Sequence, residues 1–332
     1  MKPPAFTTFD PLLDDAGADT MLRIRRDYGG YGMYSSEGFD TQYAPGVPQR
    51  FDAVANYLKQ QDGKNEDLMG AAARTNYFRE TYAYGEEIST PGCEVLLHHE
   101  ALIEEAKRLH GAKVVVPVIL YANILVPGQD LATHTDVPEF RGASRKVLPQ
   151  WLIVVMHHSG LFDAWRMPIA TAVTYFGESD GGALHHYPEG SRGPRKNFAT
   201  RHNTGIILDT DSIFHGVDRV RGRDEDAVTA LRPGSRLVTA DDGGWNAVDG
   251  GEVIARYGDD EIRFSISWKA YCFADDAAHA RWLAHDDDLA LETILGRLEA
   301  HLRDRGELEA ARPEPEDIAR LLIDRIIEFP EA

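Results

Sequence analysis

The sequence predicts a mainly β chain, an antiparallel sandwich or jelly roll with α-helical flanks. Three observations carry this. Between Val114 and Phe273 the chain runs through short, β-branched apolar segments broken by Gly, Pro and Asp clusters. No helical pattern alternates with them, which excludes a doubly wound parallel sheet. On the C-terminal side, apolar residues recur at helical spacing instead.

Taken in order, residues 1–111 read as a helical N-terminal flank. The stretch YGGYGMYSS, Tyr28 to Ser36, follows no strand and lacks the glycine spacing of a phosphate cradle, so it reads as a loop. TPGCEVLLHHEALIEEAKRLHG reads as one helix. Thr90 and Pro91 suit its cap and first position, Val95, Leu96, Leu102, Ile103 and Ala106 lean to one face, and Gly111 ends it. From 112 to 274, KVVVPVILYANILV, WLIVVMHH, ATAVTYF, TGIILDT and RFSISWKAYCF read as strands. The Gly/Asp-rich segment 222–260 reads as an insert in that core, with WNAVDGGEVIARY forming a hairpin that turns at Asp249–Gly250. In 275–332, Leu291, Ile294, Leu295, Leu298 and Leu302 share one helical face, and Ile318, Leu321 and Leu322 another. RPEPED breaks and restarts the helix between them. One domain is expected over 1–332.

Composition narrows the function. The 332 residues carry a net charge of -19, with 43% apolar and 27% charged residues. Such an acidic chain is a poor partner for nucleic acid, whose phosphates demand clustered Lys and Arg, and for anionic lipid. Cys93 and Cys272 are too few for a disulfide framework or a thiolate zinc site, and a reducing cytoplasm fits them. No secretory leader is visible, and the longest apolar runs are too short to span a bilayer as a helix. A soluble cytoplasmic protein acting on a small molecule is expected; the oligomeric state stays open.

DLATHTDVPEF, residues 130–140, holds the central motif. On a strand, residues two apart project to one face, so His134 and Asp136 converge on one cation if the chain there is extended. His215, just after the strand TGIILDT, supplies a third ligand. Two histidines and one carboxylate with other positions open suit non-haem Fe(II). A second H-x-D, His285 to Asp287, lies in a polar run before a helix, where Asp residues serve as caps and solvated charge. GESDG, Gly177 to Gly181, matches a nucleophile elbow by letter, but the glycines and proline that follow refuse the helix an elbow requires.

His134-x-Asp136, distal His215 and Arg263-Phe264-Ser265 together resemble the H-x-D…H…R-x-S pattern of the Fe(II)/2-oxoglutarate-dependent oxygenases. NILVPGQDLATHTD resembles the strand-turn-strand that leads into that family's first ligand, and GGALHHYPEG its hairpin ahead of the distal histidine. The resemblance spans about 115–275. It implies a double-stranded β-helix core (a cupin-like jelly roll), with Fe(II), 2-oxoglutarate and O₂ as cofactor and co-substrates. Arg263 and Ser265 would hold the distal carboxylate of 2-oxoglutarate, a use suited to a planar guanidinium fork. Tyr121 and Asn123 would hydrogen-bond the co-substrate. The implied reaction is oxidation of an unactivated C–H bond by hydroxylation, desaturation or cyclisation, releasing succinate and CO₂. Asp136 stands where the family's radical halogenases carry a smaller residue, which argues against chlorination.

One departure stands out: in most members the arginine follows the distal histidine closely, whereas here the insert separates them. If the insert did not loop out, Arg219 or Arg221 would become the carboxylate partner. His157, His158, His185, His186, Arg141, Arg166 and Trp268 are pocket candidates. The rival readings are an Fe(II) oxidase or dioxygenase without 2-oxoglutarate, a hydrolase using Ser179, and a non-catalytic binding protein.

Overall fold

The computed structural model describes residues 5–34, 43–45, 47–60, 75–309 and 311–330. Two antiparallel sheets face each other. The large one is built on β5 (Val114–Leu125), β9 (Ile169–Tyr175), β12 (Thr204–Leu208) and β17 (Arg263–Phe273), in the order β12-β9-β17-β5. The small one holds β6 (Leu131–His134), β10 (Leu184–His186), β11 (Lys196–Phe198) and β13 (His215–Val217), in the order β11-β10-β13-β6. The chain crosses from large to small sheet and back as it passes through these eight strands. That winding is a double-stranded β-helix, the jelly roll the sequence predicts.

Alternation explains how β17 serves two surroundings at once. Phe264, Ile266, Trp268 and Ala270 enter an apolar core on the outer face of the large sheet. Arg263, Ser265, Ser267 and Lys269 alternate with them and therefore face inward, toward the small sheet. The outer core is closed by α1 (Asp15–Tyr28), α3 (Glu94–Leu97) and α4 (Glu100–His110), through residues such as Met21, Leu97 and Leu102. Each such side chain removed from water contributes roughly 1.5–3 kcal/mol.

The segment 1–111 is not simply helical, as expected above. β1 (Phe6–Phe9) pairs with β12, and β3 (Phe78–Tyr84) pairs with β5 and with short β4 (Glu87–Ile88). β2 (Gly30–Met33) lies inside the stretch expected to be a loop and pairs with β3; Ser35 and Ser36 fall outside the described residues. Unpaired edges of the β-helix are what recruit these segments, and a sequence does not show which strand edges are free. The helix expected over 90–111 is two helices, with a break at His98 and His99 between α3 and α4.

The insert extends the same sheet. β14 (Arg236–Thr239) pairs with β2, then with β15 (Trp245–Asp249), which pairs with β16 (Glu252–Tyr257). The hairpin turns on Gly250–Gly251, one residue later than expected, since Asp249 pairs with Glu252. Both glycines have the positive φ that a two-residue turn demands.

WLIVVMHH, expected as a strand, is the helix α5 (Gln150–Ser159), following Pro149 and ending at Gly160. Trp151 to Met156 are all buried, so the run carries no periodicity to separate buried helix from buried strand. α5 packs with α7 (Leu291–Asp304) and α8 (Pro315–Ile326) in a second core, while α6 (Asp276–Ala284) lies against β17. α2 (Phe51–Gln60) lies on β6, where Asn56 donates to the Thr133 carbonyl at 2.8 Å. Among the described residues, no helix is long and apolar enough to cross a membrane.

Candidate metal centre

β13 lies beside β6 in the small sheet, and His215 is paired directly with His134. Directly opposed residues of antiparallel strands share a face, so both imidazoles enter the interior. Their ring centroids are 4.6 Å apart. Asp136, two residues beyond His134, is tied down by its own backbone N–H donating to the Thr210 carbonyl at 2.8 Å. One oxygen, Oδ1, then lies 3.8 Å from His134 Nε2 and 3.7 Å from His215 Nε2. Two donors each about 2.1 Å from one ion sit at a similar, slightly smaller separation.

The donor set fits a divalent metal. His134 Nδ1 lies 2.6 Å from the Ala132 carbonyl and His215 Nδ1 2.9 Å from that of Ile213. A carbonyl only accepts, so each Nδ1 carries the proton and each Nε2 turns a lone pair inward. Burial, then the charges of His215 and Arg50, hold His134 well below its ordinary pKa; burial also lowers His215. Both are therefore neutral and offer a lone pair to a cation. Burial would raise the Asp136 carboxyl, but Lys269 and the two histidines outweigh it and hold the group well below the usual carboxylate range.

Lys269 was not foreseen. Its ammonium donates to Asp136 Oδ2 at 2.6 Å and to Thr171 Oγ1 at 2.9 Å, from the inner face of β17. Asp136 therefore offers one oxygen, not two. The signal existed in the sequence: in RFSISWKAYCF, polar residues fall at every second position through Lys269.

Arg263 enters the same cavity and is 2% exposed. Its guanidinium donates to the Gly182 carbonyl at 2.8 Å, to Ser265 Oγ at 2.9 Å and to the Tyr175 hydroxyl at 3.4 Å. Burial lowers its pKa and Tyr175 partly offsets that. Among the described residues it has no carboxylate partner, an expensive condition for a buried cation unless a ligand supplies one. Gly182 permits the approach: a Cβ there would meet Arg263 Cδ at 2.7 Å. Tyr175, a third polar neighbour of the guanidinium, was also missed.

Tyr121, Asn123 and Ser265 line the cavity with the three metal-ligand candidates. Asn123 donates to Ser267 Oγ at 2.8 Å and leaves its buried Oδ1 without a partner. Arg219 and Arg221 are exposed, and Arg221 pairs with Glu225 at 3.2 Å, so neither anchors a ligand here. Arg141 pairs with Asp287 at 2.7 Å on the surface. Trp268 is core, its indole N–H donating to the Leu97 carbonyl at 2.8 Å. Arg166 pairs with Asp209 at 3.1 Å.

The histidine pairs separate as well. His186, opposite His215, faces inward but lies edge-on to Phe6 with neither ring nitrogen bonded. His185 faces outward, between Thr133 and Asp218. His157 and His158 sit on α5, where Nε2 of each meets a hydroxyl, Ser212 and Thr135. Ser179 hydrogen-bonds Thr200 at 3.2 Å, and strand β10 follows it where an elbow needs a helix. His285 is exposed and pairs with Asp288.

No known family model matches the sequence, and no curated protein does. Several solved structures are similar in fold. One is the non-heme α-ketoglutarate-dependent epimerase SnoN from nogalamycin biosynthesis, 10% identical, covering 82% of this chain and 79% of its own, at a TM-score of 0.42. The carbocyclase SnoK of the same biosynthesis is 10% identical, covering 87% and 90%, at 0.41. A Pseudomonas putida prolyl-4-hydroxylase is 12% identical, covering 81% and 92%, at 0.38. At such low identity and overlap these likenesses add nothing to the strand order itself. Among the structures this chain resembles are thus, by name, a prolyl hydroxylase, two α-ketoglutarate-dependent enzymes and an oxidoreductase of the 2OG-Fe(II) oxygenase family.

Proposed function

We propose that this chain is a non-haem Fe(II)- and 2-oxoglutarate-dependent oxygenase that oxidises an unactivated C–H bond of a small molecule. One observation carries the reading. A His-Asp-His triad with inward-turned donors shares a cavity with a buried, unpaired guanidinium. The triad suits Fe(II) and the guanidinium suits a carboxylate. Iron, 2-oxoglutarate and O₂ bound there supply the oxidation, with succinate and CO₂ as co-products.

The chain's own residues hold and orient. His134 and His215 present Nε2, their tautomers fixed from behind by backbone carbonyls. Asp136 presents Oδ1, while Lys269 occupies Oδ2 and keeps the carboxylate single-handed. Arg263, steadied by Gly182, Ser265 and Tyr175, receives the distal carboxylate of the co-substrate. Asn123 Oδ1 and Tyr121 flank it. The enclosing sheets exclude water from the reacting bond. An oxygenase that needs no 2-oxoglutarate would have no use for Arg263 in this state. Hydroxylation, desaturation and cyclisation share this machinery, and a reducing cytoplasm suits the two buried free thiols.

The test is spectroscopic. Fe(II) followed by 2-oxoglutarate, added without oxygen, should give the weak visible charge-transfer band of the chelate. His134→Ala should abolish it. Arg263→Gln should raise the 2-oxoglutarate concentration needed by roughly 30-fold or more, the cost of removing one partner of a buried charge pair. A wild type without the band, or a band indifferent to both substitutions, sinks the assignment.

A further inference from the structure

Two more guanidinium groups reach this interior without a carboxylate partner among the described residues, and the oxygenase reading leaves both unused. Arg79 is paired across β3 and β5 with Asn123, so it shares the inner face with Asn123 and Tyr121. Its guanidinium carbon lies 4.4 Å from the Tyr121 ring centre and 4.8 Å from that of Tyr34. Arg145 comes from the segment between β7 (Glu139–Phe140) and α5. It donates to the carbonyl of Val137, the residue after Asp136, at 3.2 Å. Tyr34, Tyr121, Glu139 and Asp136 lie within its electrostatic reach, and it lies within that of Arg79.

Elsewhere in this acidic chain guanidinium groups find acids readily, as Arg50 does with Asp52 at 2.9 Å and Arg25 with Asp259 at 2.8 Å. Among the described residues, Arg79 and Arg145 form no ion pair with any carboxylate. Charge balance makes the same point. A 2-oxoglutarate dianion would cancel Fe(II), and Lys269 cancels Asp136. Among the described residues, Glu139 is then the carboxylate left beside Arg145, its own carboxyl pushed up by burial, while no carboxylate acts on Arg79. Arg263 is buried and Arg79 and Arg145 are half-buried, so this surplus of positive charge is costly, and an incoming anion reduces the cost. Arg145 also lines a cavity of about 810 Å³ whose walls are mostly apolar, with Ile88, Leu97, Val116, Tyr271 and Trp282, and also hold Glu86, Glu139 and Lys146.

We propose that Arg79 and Arg145 bind an oxyanion of the prime substrate, which is an acidic small molecule, a carboxylate or a phosphate monoester, with an apolar body. The inference rests on the oxygenase reading of the metal centre. Calorimetric titration of hexanoate, hexyl phosphate and hexanamide into the Fe(II)·2-oxoglutarate protein, without oxygen, tests it. At least one acid should bind roughly tenfold or more tighter than the neutral amide, and Arg79→Gln and Arg145→Gln should each erase that preference. Which acid wins separates carboxylate from phosphate. Equal binding of acids and amide overturns the proposal, as does a preference that survives both substitutions. The charge-transfer band separates the two levels: its absence in the wild type sinks the oxygenase reading itself, whereas a band without acid preference sinks only this inference. Loss of the band in Arg79→Gln or Arg145→Gln would assign that arginine to 2-oxoglutarate and overturn the proposal too. Arg79→Lys and Arg145→Lys keep the charge but not the fork, and should retain the band with a weakened acid preference.

Discussion

Asp136 has two oxygens and the structure uses them differently. Oδ1 faces the two imidazoles, and Oδ2 meets the Lys269 ammonium at 2.6 Å. Lys269 has two opposed effects on a bound cation. Its positive charge repels the metal, while its hydrogen bond stops Asp136 from closing on the metal with both oxygens. Lys269→Met removes both. Fe(II) affinity, read by competition with a chromogenic chelator, should therefore hold or rise. Succinate release should fall about 10–100-fold, the usual cost of losing a partner behind a ligand, because a bidentate carboxylate takes a position the co-substrates need. A collapse of Fe(II) affinity instead would mean that Lys269 places the carboxylate and does nothing else. Lys269 was within reach of the sequence, on the same alternating face as Arg263 and Ser265. Arg79 and Arg145 were not, because an arginine looks alike whether or not an acid lies near it.

Strands position the site by close approach. β10 and β13 each bring a glycine against a functional neighbour. Gly182, just ahead of β10, has φ +66°, and a Cβ there would lie 2.7 Å from Arg263 Cδ. Gly182→Ala should displace the guanidinium, weakening 2-oxoglutarate binding roughly tenfold or more while Fe(II) affinity stays within about twofold. Gly216 follows His215, a proposed ligand. A Cβ at 216 would meet the Leu131 carbonyl at 2.5 Å and His185 Nε2 at 2.6 Å, prising β13 from β6 and β10. Gly216→Ala should cost about 1–3 kcal/mol in urea unfolding, as overpacking does, and should lower Fe(II) affinity as well. Equal Fe(II) affinity in Gly216→Ala and wild type would show that the ligands do not depend on that strand contact. The misread element, α5, shows the opposite limit of local reading. A segment buried all round gives no period, and only its neighbours in space decide between helix and strand.

At the scale of the molecule, burial sets a pH dependence of stability. Asp211 is fully buried, with neither oxygen hydrogen-bonded and Arg166 Nη2 3.8 Å away. Burial first, then Asp209, push its carboxyl up to about 7, against the pull of Lys269 and Arg166; Asp136 adds to the rise. An acid raised in the fold takes up a proton on folding. Its contribution is complete below the unfolded pKa and is lost as pH climbs through the folded one. Asp211→Asn should therefore gain on the metal-free wild type by about 2–3 kcal/mol between pH 5 and pH 8, measured by urea unfolding at both. A difference that stays flat with pH would show that Asp211 is already ionised in the fold. The net charge of -19 is a property of the exterior and does not foretell a cluster of unpaired cations inside.

The sequence by itself determined the jelly-roll core, the inward direction of His134, Arg263 and Ser265 on their strands, and the order in which the proposed ligands and anchor appear. These follow from a strand's two-residue period, which is local and leaves a mark in the letters. It also placed the long insert between His215 and Arg263. Only the tertiary structure decided that the insert extends the large sheet, that the N-terminal segment supplies strands to the same sheet, and that α5 is a helix. It alone decided that Lys269 takes one oxygen of Asp136, that His186 stays apart from the ligands, and that Arg79, Arg145 and Arg263 lack acids among the described residues. Each of these depends on which distant segment comes to lie alongside, and no local period encodes that.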